Sequence, residues 1–264
     1  MKLGILLVAY GSSNSQGEYA LRTFDGIVRT RFPNIAVRWA FSSLLIRERL
    51  AKKRVKRDSV NKALEKMYFE KYTHIAVQPL QTIPGSEHLN IIHEKNQVMR
   101  THKNFIIHVG TPLLQTKEDI DATAHAIIKH LPHERLENES VVFMGHGAKH
   151  TAVSRYLDLA HAVYSLDTNV HIGTMNGDKG LEDIIPQLIP GKKVWLMPLL
   201  STIGQHALQD MAGKQKYSWR SKIEAKGFKC EPVLHGLAEY EGFMNIWLLH
   251  LQHIMNNILQ ENKD

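Results

Sequence analysis

The chain has 264 residues, with 33 Lys and Arg against 26 Asp and Glu for a formal charge of +7; 43% of its residues are hydrophobic and 22% are charged. That length holds one large domain or two of ordinary size, and the near-average composition without low-complexity tracts excludes a disordered or fibrous chain. The single cysteine, Cys230, excludes an internal disulfide and fits a reducing compartment, and no segment is as long and apolar as a transmembrane helix.

The first thirteen residues place one lysine before an apolar run, as a short export signal would. The run is brief, lacks a small-x-small cleavage site and ends in a Gly-Ser turn, so it reads as a buried first strand over residues 3–10 of a cytoplasmic protein. Further strands are expected over 35–41, 74–80, 105–110, 141–145, 170–174, 193–199 and 228–234, with helical patterns between them. The basic stretch 47–57 reads as a helix with a solvated charged face, and no nucleic-acid motif accompanies it. In the last helix Phe243, Trp247, Leu251, Ile254 and Ile258 recur at spacings of three and four. Continuously apolar strands separated by helices predict an α/β architecture of doubly wound parallel sheets covered on both faces.

The two halves resemble each other. Leu6-Leu-Val-Ala-Tyr-Gly-Ser-Ser13 aligns with Val142-Phe-Met-Gly-His-Gly-Ala-Lys149, placing Tyr10 opposite His146 and Gly11 opposite Gly147. Later, Pro79 meets Pro198, Gly85 meets Gly204 and Glu87 meets His206. Two matches in the same order, each at a strand end, predict a duplicated domain, with halves 1–138 and 139–264 around a cleft.

Ligands bind beyond the carboxyl ends of strands in such sheets, where residues 10–13, 84–88, 145–148 and 204–206 are expected to gather. His146 lies between two glycines directly after a strand, and His206 ends a matching segment. Two imidazoles with oxygen ligands suit a divalent first-row ion, and neutral imidazole also accepts a proton near pH 7. Glu87, the counterpart of His206, is expected to bind metal, accept a proton or cap its helix. His88 points elsewhere in this reading, and Lys149, His150 and His161 are peripheral. Zincin and cysteine-pair zinc patterns are absent from the sequence, and the basic balance favours anionic partners, whether nucleic acid, a membrane surface or a polycarboxylate ligand, of which the last is expected here.

Val141-Val-Phe-Met-Gly-His-Gly-Ala148, Met197-Pro-Leu running to His206-Ala and Asp210-Met-Ala212, the block at Gly236-Leu, Gly11-Ser-Ser13, Phe41-Ser-Ser43 with Ile46-Arg47, and residues 83–87 together resemble anaerobic sirohydrochlorin cobaltochelatases, which are related in fold to ferrochelatase. The resemblance runs essentially end to end. It implies insertion of Co2+ into an anionic sirohydrochlorin-type tetrapyrrole with release of two protons, in anaerobic cobalamin biosynthesis. The ion is then a substrate, with Fe2+ the alternative, and no organic cofactor is implied. The resemblance gives His146 as metal ligand and proton acceptor and His206 as second ligand; Glu87, placed opposite His206 by the repeat, is expected to be a further proton acceptor. Gly11, Ser12, Ser13, Ser42, Ser43, Thr82 and Arg47 are then expected to bind substrate carboxylates, with Tyr10 beside them. Asn176 stands where that family carries a glutamate, with Asp178 as a nearby substitute. A neutral amide is a weak ligand and takes no proton, which keeps open a ferrochelatase for sirohaem or haem, or a non-catalytic tetrapyrrole or haem carrier. A periplasmic-type binding protein is the weaker alternative, and a homo-oligomer is left open.

Overall fold

The computed structural model describes residues 1–147, 154–177 and 179–261; Lys149, His150 and Asp178 lie outside the described residues. All eight expected strands are present: β1 (Leu3–Ala9), β2 (Ala36–Phe41), β3 (His74–Pro79), β4 (Ile106–Val109), β5 (Ser140–Gly147), β6 (Val170–Asn176), β7 (Val194–Leu199) and β8 (Cys230–Pro232). They form two parallel sheets, ordered β2-β1-β3-β4 and β6-β5-β7-β8. The two orders are the same topology written twice. Register agrees as well, since Val8 pairs with Pro79 in the first sheet and Met144 with Pro198 in the second.

The first sheet carries α1 (Ser15–Arg31), α2 (Leu44–Lys52), α3 (Val60–Phe69) and α4 (Ser86–Thr101), and the second α5 (Lys117–Lys129), α6 (Ser154–Leu166), α7 (Leu181–Ile184) and α8 (Trp219–Ala225). A last helix, α9, spans Glu241–Glu261. Every residue of β3 and β7 is buried, as strands covered on both faces require. Leu6, Val8, Leu64, Met67, Ile75 and Phe105 build the core of the first sheet, and Val142, Leu196, Met211 and Trp219 that of the second. Among the described residues no helix is long and apolar enough to cross a membrane.

The chain forms two compact units, Met1–Leu113 with Met244–Asp264, and Leu114–Phe243. Position 138, the boundary read from the repeat, falls between the two sheets, but the compact units divide elsewhere. The physical reason is helix packing: α5 lies against α6 of the second unit, while α9 supplies core and edge contacts to the first. Trp247 meets Phe24 edge to face at 6.3 Å, Arg31 donates to Gln252 at 3.1 Å, and His108 lies 3.0 Å from Glu261.

The basic stretch 47–57 is helical only to Lys52. Arg54 turns into the left-handed region at φ 62°, and its N–H donates to the carbonyl of Ala51, which ends the helix. Leu50 is buried beneath this turn, so one side of the stretch belongs to the core.

Candidate functional site

In both sheets the strand order reverses between the first and third strands, β1 and β3 or β5 and β7. The crevice outside the carboxyl ends of such a pair is where open parallel sheets bind ligands. The sequence places its glycines accordingly. Gly11 follows β1 with φ 99°, and a Cβ there would lie 2.5 Å from the Phe41 ring. Gly147 ends β5 with φ 79°, and a Cβ would fall 1.6 Å from the Asn176 carbonyl oxygen. Only glycine meets both demands at these turns.

In the second unit this turn exposes His146 at the end of β5. His206 opens a π-helix, His206–Met211, that follows β7, and its ring centroid lies 5.0 Å from that of His146 with the planes at 76°. An ion held by Nε2 at about 2.1 Å lies about 3.2 Å from a ring centroid. Two imidazoles sharing one ion near tetrahedral or right-angled geometry therefore have centroids roughly 4.5–5.2 Å apart. The observed pair falls in that range.

Hydrogen bonding fixes which nitrogen each ring presents. Nδ1 of His146 lies 3.2 Å from the Gly147 carbonyl and Nδ1 of His206 lies 2.6 Å from the Asp210 carboxylate. A carbonyl or carboxylate oxygen only accepts, so both Nδ1 atoms carry the proton and both Nε2 lone pairs are left for an ion. Asn176 pairs with Gly147 at the end of β6, next to His146 along the sheet, and is exposed. Among the described residues no three His, Cys, Asp or Glu side chains converge on one point.

Other titratable groups behave differently. Burial pushes the His171 imidazole down to about 4 and also lowers His88, so these are neutral interior rings. Burial likewise pushes the Cys230 thiol up to about 12, which makes it a core residue and not a nucleophile.

In the first unit the predicted residues gather around the ends of β1, β2 and β3. The Ser42 hydroxyl donates to Glu87 at 2.8 Å, bringing the end of β2 to the start of α4, and Ser43 N–H donates to the Tyr10 carbonyl at 3.3 Å. Glu87 stands in the first turn of α4 with its carboxylate exposed, and Tyr10 is exposed beside it in the chain order of strand ends. The hydroxyls divide by task. Ser43 caps α2 by accepting from Ile46 N–H, Ser12 closes the turn into α1 by accepting from Asn14 N–H, and both are buried, as is Thr82. Ser13 and Ser42 are the less buried pair. One terminal nitrogen of the Arg47 guanidinium donates to the carbonyls of Phe41 and Ser42, which ties it to the strand end and leaves its remaining N–H groups as donors.

Two features escaped the sequence reading. Leu44, Leu45 and Leu89 are exposed at the starts of α2 and α4, an apolar fringe on the same sheet end as Tyr10. Asp210 had no assigned role, although its spacing of four from His206 was the available signal.

Comparison with known proteins gives one consistent answer. Residues 3–256 match the family model described as cobalt chelatase (CbiK). The chain is 53% identical over 252 residues to the sirohydrochlorin cobaltochelatase CbiKC of Nitratidesulfovibrio vulgaris, covering 95% of this chain and 89% of that protein. It is 28% identical to the sirohydrochlorin cobaltochelatase of Salmonella typhimurium, covering 99% of each. The fold matches the sirohydrochlorin chelatase SirB of Bacillus subtilis subspecies spizizenii in complex with cobalt, with a TM-score of 0.68, 16% identity and 97% of both chains covered.

Proposed function

Because the chain belongs to the cobalt chelatase family, we propose that it inserts Co2+ into sirohydrochlorin, with the ion entering through Nε2 of His146 and His206. The observation that carries the site assignment is the pair of rings 5.0 Å apart, each with Nδ1 bonded to an acceptor. The reaction joins a divalent ion to four pyrrole nitrogens and releases two protons. Its barrier lies in bending the macrocycle so that its nitrogens face the ion while two N–H bonds break.

The chain's residues divide that work. His146 and His206 present the ion through two imidazole nitrogens and leave its other positions to the macrocycle. As the ion passes to the pyrrole nitrogens, the released His146 Nε2 lone pair is free to accept one of the two protons. Glu87 is the proposed second proton acceptor, held by Ser42. The N–H groups and hydroxyls around Gly11, Ser13 and Ser42 are the proposed partners of substrate carboxylates, with Tyr10 against the ring. Backbone groups contribute more there than the buried hydroxyls of Ser12, Ser43 and Thr82. The cytoplasm is the proposed compartment, where the buried Cys230 thiol stays reduced.

Iron is the second metal in this reading, because imidazole and carboxylate donors do not separate Co2+ from Fe2+. Asn176 favours one further reading, a carrier that binds metallated tetrapyrrole without turnover, since an amide beside His146 takes no proton. Steady-state insertion into sirohydrochlorin with Co2+ or Fe2+, in the native protein and in Asn176→Glu, separates these. Turnover with Co2+ is expected, and the glutamate is expected to raise it most at low metal concentration. Tight binding of the metallated product with no insertion in either protein would replace the chelatase with the carrier.

A further inference from the structure

We propose that Asp210 is a positioning residue that holds His206 in the orientation and tautomer needed to present an ion. The proposal rests on the reading of His206 as an ion ligand. Asp210 lies within the same π-helix as His206, and its carboxylate oxygen is 2.6 Å from Nδ1. Among the described residues the Asp210 side chain bonds to no other side chain. The two side chains are 48% and 34% exposed, so neither is held in place by a surrounding core. An exposed imidazole in water turns freely about its side-chain torsions and exchanges tautomers. A charged acceptor on one nitrogen removes both freedoms and makes the opposite nitrogen a better donor to metal.

The local backbone makes the contact possible. Ala207 and Met211, the residues after His206 and Asp210, are buried and pin the inner side of the π-turn. Their neighbours are thereby turned outward together. Single π-turns of this kind occur mostly where a helix must aim side chains for function. His146 obtains the same restraint from the Gly147 carbonyl, a neutral acceptor at the longer distance of 3.2 Å. His206 is thus the ring whose alignment depends on a removable side chain.

The test uses the full chain with Asp210→Ala, Asp210→Asn, His206→Ala and the double variant His206→Ala with Asp210→Ala. Cobalt alone is titrated by its visible absorption, and insertion is measured across a range of cobalt concentrations. Asp210→Ala is expected to weaken cobalt binding about 10- to 100-fold and to raise the KM for cobalt, with kcat little changed. Asp210→Asn falls between, because an amide oxygen accepts the same hydrogen bond without the charge. In the His206→Ala background, losing Asp210 is expected to cost nothing more. Native cobalt affinity in Asp210→Ala, or losses that add in the double variant, would overturn the positioning role while leaving His206 a ligand. If Asp210→Ala does not fold, native affinity in Asp210→Asn overturns it equally. Native affinity in His206→Ala would instead remove the ligand reading on which the proposal stands.

Discussion

Replacing His146 or His206 by alanine is expected to lower cobalt insertion by roughly 100-fold or more while the protein folds as before. The expectation of intact folding comes from exposure. Both rings project from strand or helix ends, and among the described residues each bonds to its own neighbour or to a residue one turn away. Surface substitutions of this kind change stability by about 0.5 kcal/mol or less. The loss of activity follows from the two tasks assigned to these rings. Removing His206 takes away one of two nitrogen donors and should appear mainly in the KM for metal. Removing His146 takes away a donor and a proton acceptor together, and a positioned base alone contributes typically about 100-fold or more. His146→Ala should therefore lower kcat as well. Insertion rates over a range of metal concentrations, with thermal unfolding as the control, check both. Normal turnover in either variant removes that histidine from the mechanism, and loss of cooperative unfolding makes it a structural residue.

Gly147→Ala is expected to reduce insertion nearly as far, by a different route. Its backbone sits at φ 79°, which costs a residue with a Cβ about 1–2 kcal/mol, and the new methyl would lie 1.6 Å from the Asn176 carbonyl oxygen. No rotamer relieves that overlap, because both atoms belong to backbone or Cβ. The ends of β5 and β6 must separate, and the carbonyl that holds His146 Nδ1 moves with them. The expected result is a destabilised protein that, at temperatures where it remains folded, binds cobalt weakly. Gly145→Ala in the same strand is the useful comparison, since the nearest atoms to its Cβ would be the ring of the buried Tyr156, from 2.7 Å, which disturbs the core without touching the turn that holds His146. Equal and mild effects of the two substitutions on cobalt affinity would show that the Gly147 turn does not set the site.

The sheets were legible because their central strands are largely apolar, with His74 and Gln78 the polar exceptions in β3, and burial on both faces leaves that signature regardless of what packs outside. The edge strand β8 was read too long. It pairs with β7 over Cys230–Pro232, and the Val233 N–H makes the last bond of that ladder, to the Leu196 carbonyl, although the flanking sequence stays apolar. The duplication was legible through glycine and proline, whose backbone constraints survive when side chains diverge. Gly11 and Gly147 both adopt positive φ at the end of their first strand.

The division into compact units was not legible in the repeat. Nothing in the amphipathic pattern of α9 names its partner, and it takes the packing of Trp247 on Phe24, with the contacts of Gln252 and Glu261, to show that it belongs to the first unit. At the candidate site, the pairing of His146 with His206 was anticipated from matching strand ends. The bonds from Arg47 to the Phe41 and Ser42 carbonyls were not, because nothing in a helical pattern shows a guanidinium folding back onto the preceding strand end. Asp210 was overlooked because acidic residues four positions from a histidine are common on helices, and the π-turn that aims both outward leaves no mark in helix propensity.

The central claim is that Nε2 of His146 and Nε2 of His206 hold the entering ion together. X-ray absorption of the cobalt-loaded protein, native and with His206→Ala, tests it most directly. The account predicts two imidazole nitrogens at about 2.1 Å in the native protein and one fewer in the variant. A native cobalt spectrum with no imidazole scattering, or one that His206→Ala leaves unchanged, would contradict it.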